Sequence, residues 1–279
     1  MGRLLPLLLL GPALAAAEGY AFAGAPRTYL YHLDQQVAWT SAGDQLAYRT
    51  EVDWRVLMAG RGQHDGRSEV TVTVLRVVAS HRGPGSERRF DSASGGDDAL
   101  LGHLKAVEGA VLTLMVDARS GLVSEVRGAE AIPEAIARRS PDLADPGAPS
   151  PLAEAARQAY APARLARLWS QVLARPAAGP ERMPLGEPLS GEAVRSWSGD
   201  TWTLVPAAGA IPVTFLGDPT PVAGRVVELK GSGGNQQRDG WPAEARGELS
   251  FTLELDALTQ PVRQSHRIAW TLTDVTARR

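Results

Sequence analysis

The sequence predicts an α+β, mostly β fold: a large curved antiparallel sheet, a half-barrel or open barrel, with central helices packed on its concave face. Three observations predict it. Leu46, Tyr48, Thr50, Val52, Trp54, Val56 and Met58 are mainly apolar and alternate with Gln45, Arg49, Glu51, Asp53 and Arg55, the period of two that marks a strand with one dry face. Near the other end Leu249, Phe251, Leu253 and Leu255 alternate with Glu248, Ser250, Thr252, Glu254 and Asp256 in the same way. Helical spacing is confined to the middle of the chain, and strands this long belong to large, strongly bent antiparallel sheets.

The chain opens with Arg3, an apolar run from Leu4 to Leu10 broken only by Pro6, and small residues at Ala13, Ala15 and Ala17. A positive start, a short apolar core and spaced small residues predict a secretory signal peptide over residues 1–17, and with it a periplasmic or secreted protein. The run falls short of the roughly 20 residues a bilayer crossing needs, and no later stretch predicts a transmembrane segment. With no cysteine in the 279 residues, neither lipid attachment at a cysteine nor a disulfide is available, so packing must hold the fold. A formal charge of −2 does not suggest nucleic acid or an anionic membrane as a partner.

Residues 18–279 are read as a single curved-sheet domain. Its N-terminal meander covers 27–92. Tyr29, Tyr31, Leu33, Val37 and Trp39 line one side of a first strand, Ser41-Ala42-Gly43-Asp44 supplies turn chemistry, and a second strand returns over 45–58. A loop is expected over 60–66. In the strand over 69–79 the apolar set moves from Val70, Val72 and Val74 to Leu75 and Val77, a change of face that predicts a bulge. Gly83-Pro84-Gly85 then turns into a short strand ending near Phe90.

The central helices and hairpin cover 97–174. Asp97 or Asp98 can cap a short helix carrying Leu100, Leu101, Leu104 and Val107 on one stripe, with Gly109 at its end. Residues 111–117 and 122–126 read as a hairpin around Arg119-Ser120-Gly121, 130–138 as a helix, and the proline-rich stretch 140–151 as a loop. Over 152–174 the reading is helical, interrupted or restarted near Pro162, with Leu165, Leu168, Trp169, Val172 and Leu173 on one face. After an irregular stretch over 176–188, C-terminal strands cover 194–275. Trp202 and Leu204, Val213 and Phe215, and Val227 and Leu229 mark short strands, 231–243 reads as a long flexible loop, and a last hairpin turns at Thr259-Gln260-Pro261. Two β domains joined by a helical linker is the alternative arrangement.

Active-site signatures are absent. No serine stands between glycines two places either side, and there is neither HExxH nor a phosphate loop; Gly231-Ser232-Gly233-Gly234 matches only in glycine content. The five histidines are too far apart for local metal spacing. His32 and Asp34 point the same way on one strand, which a solvated polar face explains as well as a metal does. Asp91-Ser92-Ala93-Ser94-Gly95-Gly96-Asp97-Asp98 lacks oxygen ligands where a calcium loop needs them and reads as a turn into a helix cap. Glu51 and Asp53 share their face with Arg49 and Arg55, so a charged solvent ladder is preferred to an acid–base pair. No catalytic residue, metal or cofactor is therefore expected.

Seven of the sixteen aromatic residues are tryptophan. Trp54 and Trp270 fall on predicted inner faces and Trp169 on a helix stripe. Core packing accounts for them, and so does an incompletely filled apolar space, which binds apolar ligands. On the second reading Val52, Trp54, Met58, Phe251, Leu253, Ile268 and Trp270 line a ligand site and Trp169 is part of its lid. His266, in phase with Ile268, Trp270 and Leu272, is either a hydrogen-bonded core histidine or a polar contact at the mouth. The expected function is a non-catalytic binding protein, with an apolar small molecule or lipid as its partner. The alternative is a cell-envelope structural or protein-interaction module with an envelope protein as partner.

Phe90-Asp91-Ser92, Val116-Asp117 with Gly121-Leu122-Val123, Val126-Arg127-Gly128, Ser198-Gly199-Asp200-Thr201-Trp202 and the closing amphipathic hairpin resemble a family of exported bacterial proteins classed only as a domain of unknown function. That resemblance implies no catalytic residues. Tyr29-Leu30-Tyr31 followed by two long alternating strands is similar to the start of the N-terminal sheet in vitellogenin-type lipid transfer proteins, and curved-sheet bacterial lipoprotein carriers share the general plan. Both likenesses imply an architecture and not an activity.

Overall fold

The computed structural model describes residues 19–41, 44–94, 98, 101–139, 156–185, 191–207, 211–215, 222–255 and 262–276. The predicted signal segment, the proline-rich stretch and the loop at Thr259-Gln260-Pro261 lie outside the described residues.

The first strands are β1 (Arg27–Ser41), β2 (Asp44–His64), β3 (Arg67–Gly83) and β4 (Ser86–Asp91). A 3-10 helix (Gly102–Ala106) follows, then the hairpin β5 (Val111–Asp117) and β6 (Val123–Arg127) and the helix α1 (Ala131–Arg139). Helix α2 (Pro162–Val172) has Pro162 in its first turn and Ala161 as N-cap. This is the interruption that the proline predicts, since its missing N–H is one the helix start cannot use. The chain then forms β7 (Glu181–Pro184), β8 (Glu192–Ser198), β9 (Thr201–Pro206), β10 (Ile211–Phe215), β11 (Val222–Arg238), β12 (Trp241–Leu255) and β13 (Val262–Asp274).

Among the described residues these strands make one open antiparallel sheet in the order β6-β5-β3-β2-β1-β13-β12-β11-β9-β8-β7, with β4 on β3 and β10 on β11. The opening and closing hairpins are joined through β1, so that Tyr31 lies opposite both Trp54 and Leu272, and Leu33 opposite Val52 and Trp270. Period-two alternation gathers their apolar side chains on one inner face. Helix α2 lies over that face with Leu165, Trp169 and Val172 buried, and Trp169 packs 6.3 Å from the Tyr31 ring.

Of five register shifts among the described strands, two change which side chains face the core. Register slips between Arg55 and Val56 on β2, which puts Leu75 outside while Val74 and Val77 stay buried. The same happens on β11 between Val226 and Glu228. There the structure corrects the sequence reading, because Val226 rather than Val227 faces the core. An extra residue on one strand increases local twist and bends it.

Three expected irregular stretches are strand instead. β2 and β3 run through 60–66 to a tight turn at Asp65 (φ 50) and Gly66 (φ 76), and β11 and β12 run through 231–243 to Asp239 (φ 55) and Gly240 (φ 71). Positive φ at both central residues is the two-residue hairpin turn whose twist matches the strands. The glycines of β11 are there for room: a Cβ at Gly233 would strike the Trp202 ring, and one at Gly247 on β12 the Trp270 ring. Within 176–188, β7 pairs with β8.

The β2–β3, β5–β6 and β11–β12 turns share the lower end of the sheet. A strap of residues 19–23 crosses it. Tyr20 N–H donates to Ala118 O, Ser68 Oγ–H to Tyr20 O, Phe22 N–H to Gly240 O and the Trp241 indole N–H to Ala23 O. The segment leaving α2 crosses the same end, where Asn235 Nδ2 donates to Val172 O (3.2 Å), Ala174 O (2.5 Å) and Tyr20 Oη (3.2 Å). Arg175 Nη1 donates to Ala118 O, and its guanidinium lies 5.5 Å over the Tyr20 ring. Burial pushes the Tyr20 phenol up to about 12, with Asn235 and Arg175 opposing the shift.

Candidate functional site

Burial along β1 and β2 grades from bottom to top on the inner face. Tyr29, Val56 and Met58 are sealed beneath the strap and helix, Leu33, Val52, Val37 and Tyr48 are half-buried, of which Leu33 and Val52 pack against the core, and Trp39 and Leu46 are exposed. Of the residues expected to line a ligand site, Met58, Trp54, Trp169, Phe251, Leu253 and Trp270 are buried, while Val52, His266 and Ile268 are half-buried. All belong to or pack against one apolar cluster, His266 through its stack on Phe251.

At the step from sealed to half-open stand three aromatic donors. The Tyr31 ring lies 5.9 Å from that of Trp54 and 6.3 Å from that of Trp169. Tyr31 Oη, Trp54 Nε1 and Trp169 Nε1 are buried without a hydrogen-bond partner among the described residues. Buried polar atoms are normally paired, so three in adjacent rings is an uncommon concentration of unmet donors. Burial drives the Tyr31 phenol well above its ordinary value, which keeps its proton in place as a donor. Tyr31 alternates in phase with Tyr29 and Leu33 and so was legible as an inner-face residue, though not as a site residue.

His266 stacks on Phe251 with centroids 4.4 Å apart and planes at 11°. Its Nε2 has no partner among the described residues, so stacking takes the place of the expected hydrogen bond. Desolvation lowers its pKa. The unfolded chain therefore takes up the proton more readily than the folded one. Stability should be full above the ordinary histidine value of about 6.5 and should decline as pH falls below it. A urea midpoint falling between about pH 7 and 5.5, with the slope abolished by His266→Phe, is the expected result; an unchanged slope in the variant would assign the dependence to another group.

The opposite, outer face is ionic. Arg49 donates from Nε to Asp34 Oδ1 (2.9 Å) and pairs with Glu51 (2.9 Å), while Arg267 reaches Asp34 (3.6 Å) and Glu248 (2.8 Å). Burial alone would raise the Asp34 carboxyl, but hydrogen bonds from Arg49 and Gln36 and the Arg49 and Arg267 charges hold it below the ordinary value. Glu51 is thus part of a charged ladder, and Asp53 Oδ1 lies 2.7 Å from His32 Nδ1. Asp91 is lowered to about 2, chiefly by hydrogen bonds from Arg76 and the Ala93 N–H, and Asp98 Oδ1 accepts from the Leu101 N–H. In the calcium-like segment residues 91–94 thus form a turn, and Asp98 accepts from the N–H of Leu101, the N-cap of the 3-10 helix, which itself has no side-chain capping bond; Gly95, Gly96, Asp97 and Leu100 lie outside the described residues. Among the described residues no group of three or more His, Asp and Glu side chains is placed to hold a metal ion, and no helix is long and apolar enough to cross a membrane.

A cleft of about 450 Å³ crosses the upper part of the sheet. It is lined mostly from the outer face, by Ala38, Ala47, Thr252 and Ser265 among others, and touches Phe251 and His266 of the expected site. A twisted sheet is saddle-shaped, so each face is hollow along one diagonal.

No family model matches the chain, and no curated protein matches it. Among solved structures the chain is similar to lipovitellin, at 10% identity over 91% of this chain and 26% of that one, with a TM-score of 0.44. It thus spans about a quarter of the lipovitellin chain. It is also similar to DynF of the dynemicin biosynthesis pathway of Micromonospora chersina (9% identity, 99% and 94% of the two chains, TM-score 0.22). A further likeness is to OccK7 (OpdD) of Pseudomonas aeruginosa (8% identity, 90% and 100%, TM-score 0.23).

Proposed function

We propose that the protein is an exported, non-catalytic binding protein that carries an amphipathic, lipid-like molecule on the inner face of its sheet. The observation that carries the reading is the group of Tyr31, Trp54 and Trp169, three neutral donors side by side in an apolar surface. Leu33, Val52, Leu249 and Ile268 pack against the core there and are only half-buried, which supplies apolar area for an acyl or similar chain. Each Å² covered contributes about 25 cal/mol. Donors without a charged side chain among them suit a neutral acceptor such as an ester or amide carbonyl better than a free carboxylate, which would need a cation to offset its desolvation.

Native mass spectrometry of protein purified from its own compartment should show a bound small molecule, and fatty acyl esters should change the tryptophan fluorescence. Tyr31→Phe removes one donor and should weaken ester binding about tenfold, a typical consequence of losing one buried hydrogen bond. Protein without extractable lipid, and fluorescence indifferent to both esters and fatty acids, would sink the proposal. A second reading, a cell-envelope structural or interaction module, is favoured by the complete burial of Met58, Leu253 and Trp169. It predicts the same blank result together with a captured envelope protein.

A further inference from the structure

Polar and apolar side chains trade places at the upper end of the inner face. Gln264 on β13 is 6% exposed, and its Oε1 is buried with no hydrogen-bond partner among the described residues. Opposite it in the register on β1 stands Trp39, 37% exposed, while every other tryptophan is buried or half-buried. Single exposed apolar residues are ordinary. A buried amide with nothing to bond, opposite an exposed indole, inverts the usual placement of both. Two positions along β13 on the same face is His266, whose buried Nε2 also lacks a partner among the described residues. Strand geometry sets Gln264 and His266 about 7 Å apart.

The chemistry of these groups narrows what can satisfy them. Desolvation lowers the His266 pKa, so its imidazole is neutral at pH 7. In the two register rows that hold Gln264 and His266, from β2 across β1 and β13 to β12, the other side chains are apolar or, at Tyr48, phenolic. Arg263 and Arg267 alternate with them along β13 and so belong to the outer face. An ionic ligand would find no opposite charge here to offset its desolvation. A neutral imidazole has one donor and one acceptor nitrogen, and an amide has one end of each kind. A hydroxyl both donates and accepts, so it suits either ring nitrogen and either end of the amide. The pair therefore fits a neutral ligand that carries several hydroxyls on one rigid frame. A saccharide ring is such a frame, and its C–H face can lie on the electron-rich face of an exposed indole.

We infer that the upper inner face is a saccharide site, with the ring stacked on Trp39 and its hydroxyls bonded to Gln264 and His266. Glutamine has three side-chain torsions, enough to turn the amide toward a bound ring. A free sugar and the neutral head group of a glycolipid present the same chemistry to these residues. The head-group form rests on the carrier reading, with the half-buried strip at Ile268, Leu33 and Val52 taking the acyl chain; the ring site itself does not.

The test sets octyl glucoside, octyl galactoside and octyl mannoside against the octyl ether of triethylene glycol, which has the same chain and a single hydroxyl. Each is titrated calorimetrically into the full mature chain below the micelle threshold. At least one glycoside should bind about tenfold or more tighter than the ether, the worth of one buried hydrogen bond. Gln264→Met keeps the reach of the side chain without its polar atoms, and it should abolish that preference while leaving ether binding unchanged and the urea midpoint no lower. Trp39→Ala, at an exposed site, gives an independent answer: the glycoside should weaken about tenfold and the ether little. No glycoside preferred over the ether, or a preference that survives in either variant, would overturn the saccharide site and leave the carrier reading standing. The matching methyl glycosides separate the two sources. A methyl glycoside that binds as tightly as its octyl form would support a free sugar and overturn the carrier reading alone; a weaker one would support the glycolipid head group and the carrier reading together.

Discussion

Trp169→Ala is expected to destabilise the protein by about 3–5 kcal/mol, the range for truncating a buried aromatic side chain, and to lower the thermal midpoint by roughly 10 °C. Trp169 is 1% exposed and joins α2 to the sheet through Tyr31. Besides it the helix has Leu165 and Val172 in the core and the Ser170 Oγ accepting from the Val123 N–H. An 11-residue helix is marginal in isolation, so losing its largest contact should free it from β6 and expose the inner face. A urea midpoint shift equivalent to less than about 1 kcal/mol would show that the helix is held some other way.

Asn235→Leu should cost about 3 kcal/mol, since three acceptors, Val172 O, Ala174 O and Tyr20 Oη, lose their donor within the core while the shape is nearly kept. Its effect should be local first. Amide exchange should accelerate across residues 19–23 and 172–175 before it does in β1 or β13, because the strap and the segment after α2 are tied to the sheet chiefly by these bonds and their neighbours. Uniform acceleration over the whole sheet would mean that the lower end is not a separate unit.

Much of this architecture was readable from alternation. Tyr31, Trp54, Phe251, His266 and Trp270 share a face because period two puts them there, and the change of phase at Leu75 is the bulge itself. Asp65-Gly66 and Asp239-Gly240 are tight-turn signals that local reading could have used. They were masked by glycines, at Gly60, Gly62, Gly231, Gly233 and Gly234, that suggest loops when their neighbours in space are unknown. The indoles of Trp202 and Trp270 that make small residues necessary come from other strands. The strap could not be read at all, because five residues held by backbone carbonyls of distant turns carry no periodicity. The candidate site was half legible. Sequence placed its side chains on one surface, but whether the Tyr31 hydroxyl meets a partner depends on every element packed above it.

The middle of the sheet also governs how the molecule can be made. β1 pairs with β2 across a short turn but with β13 across more than 200 intervening residues, Tyr31 finding Leu272. Such distant pairing makes for slow folding, since loop closure precedes the contacts that reward it. Until residue 274 is available, β1 is an open margin with unpaired amides. A chain in that condition stays open to edge-to-edge pairing with other chains for as long as its closing strand is withheld.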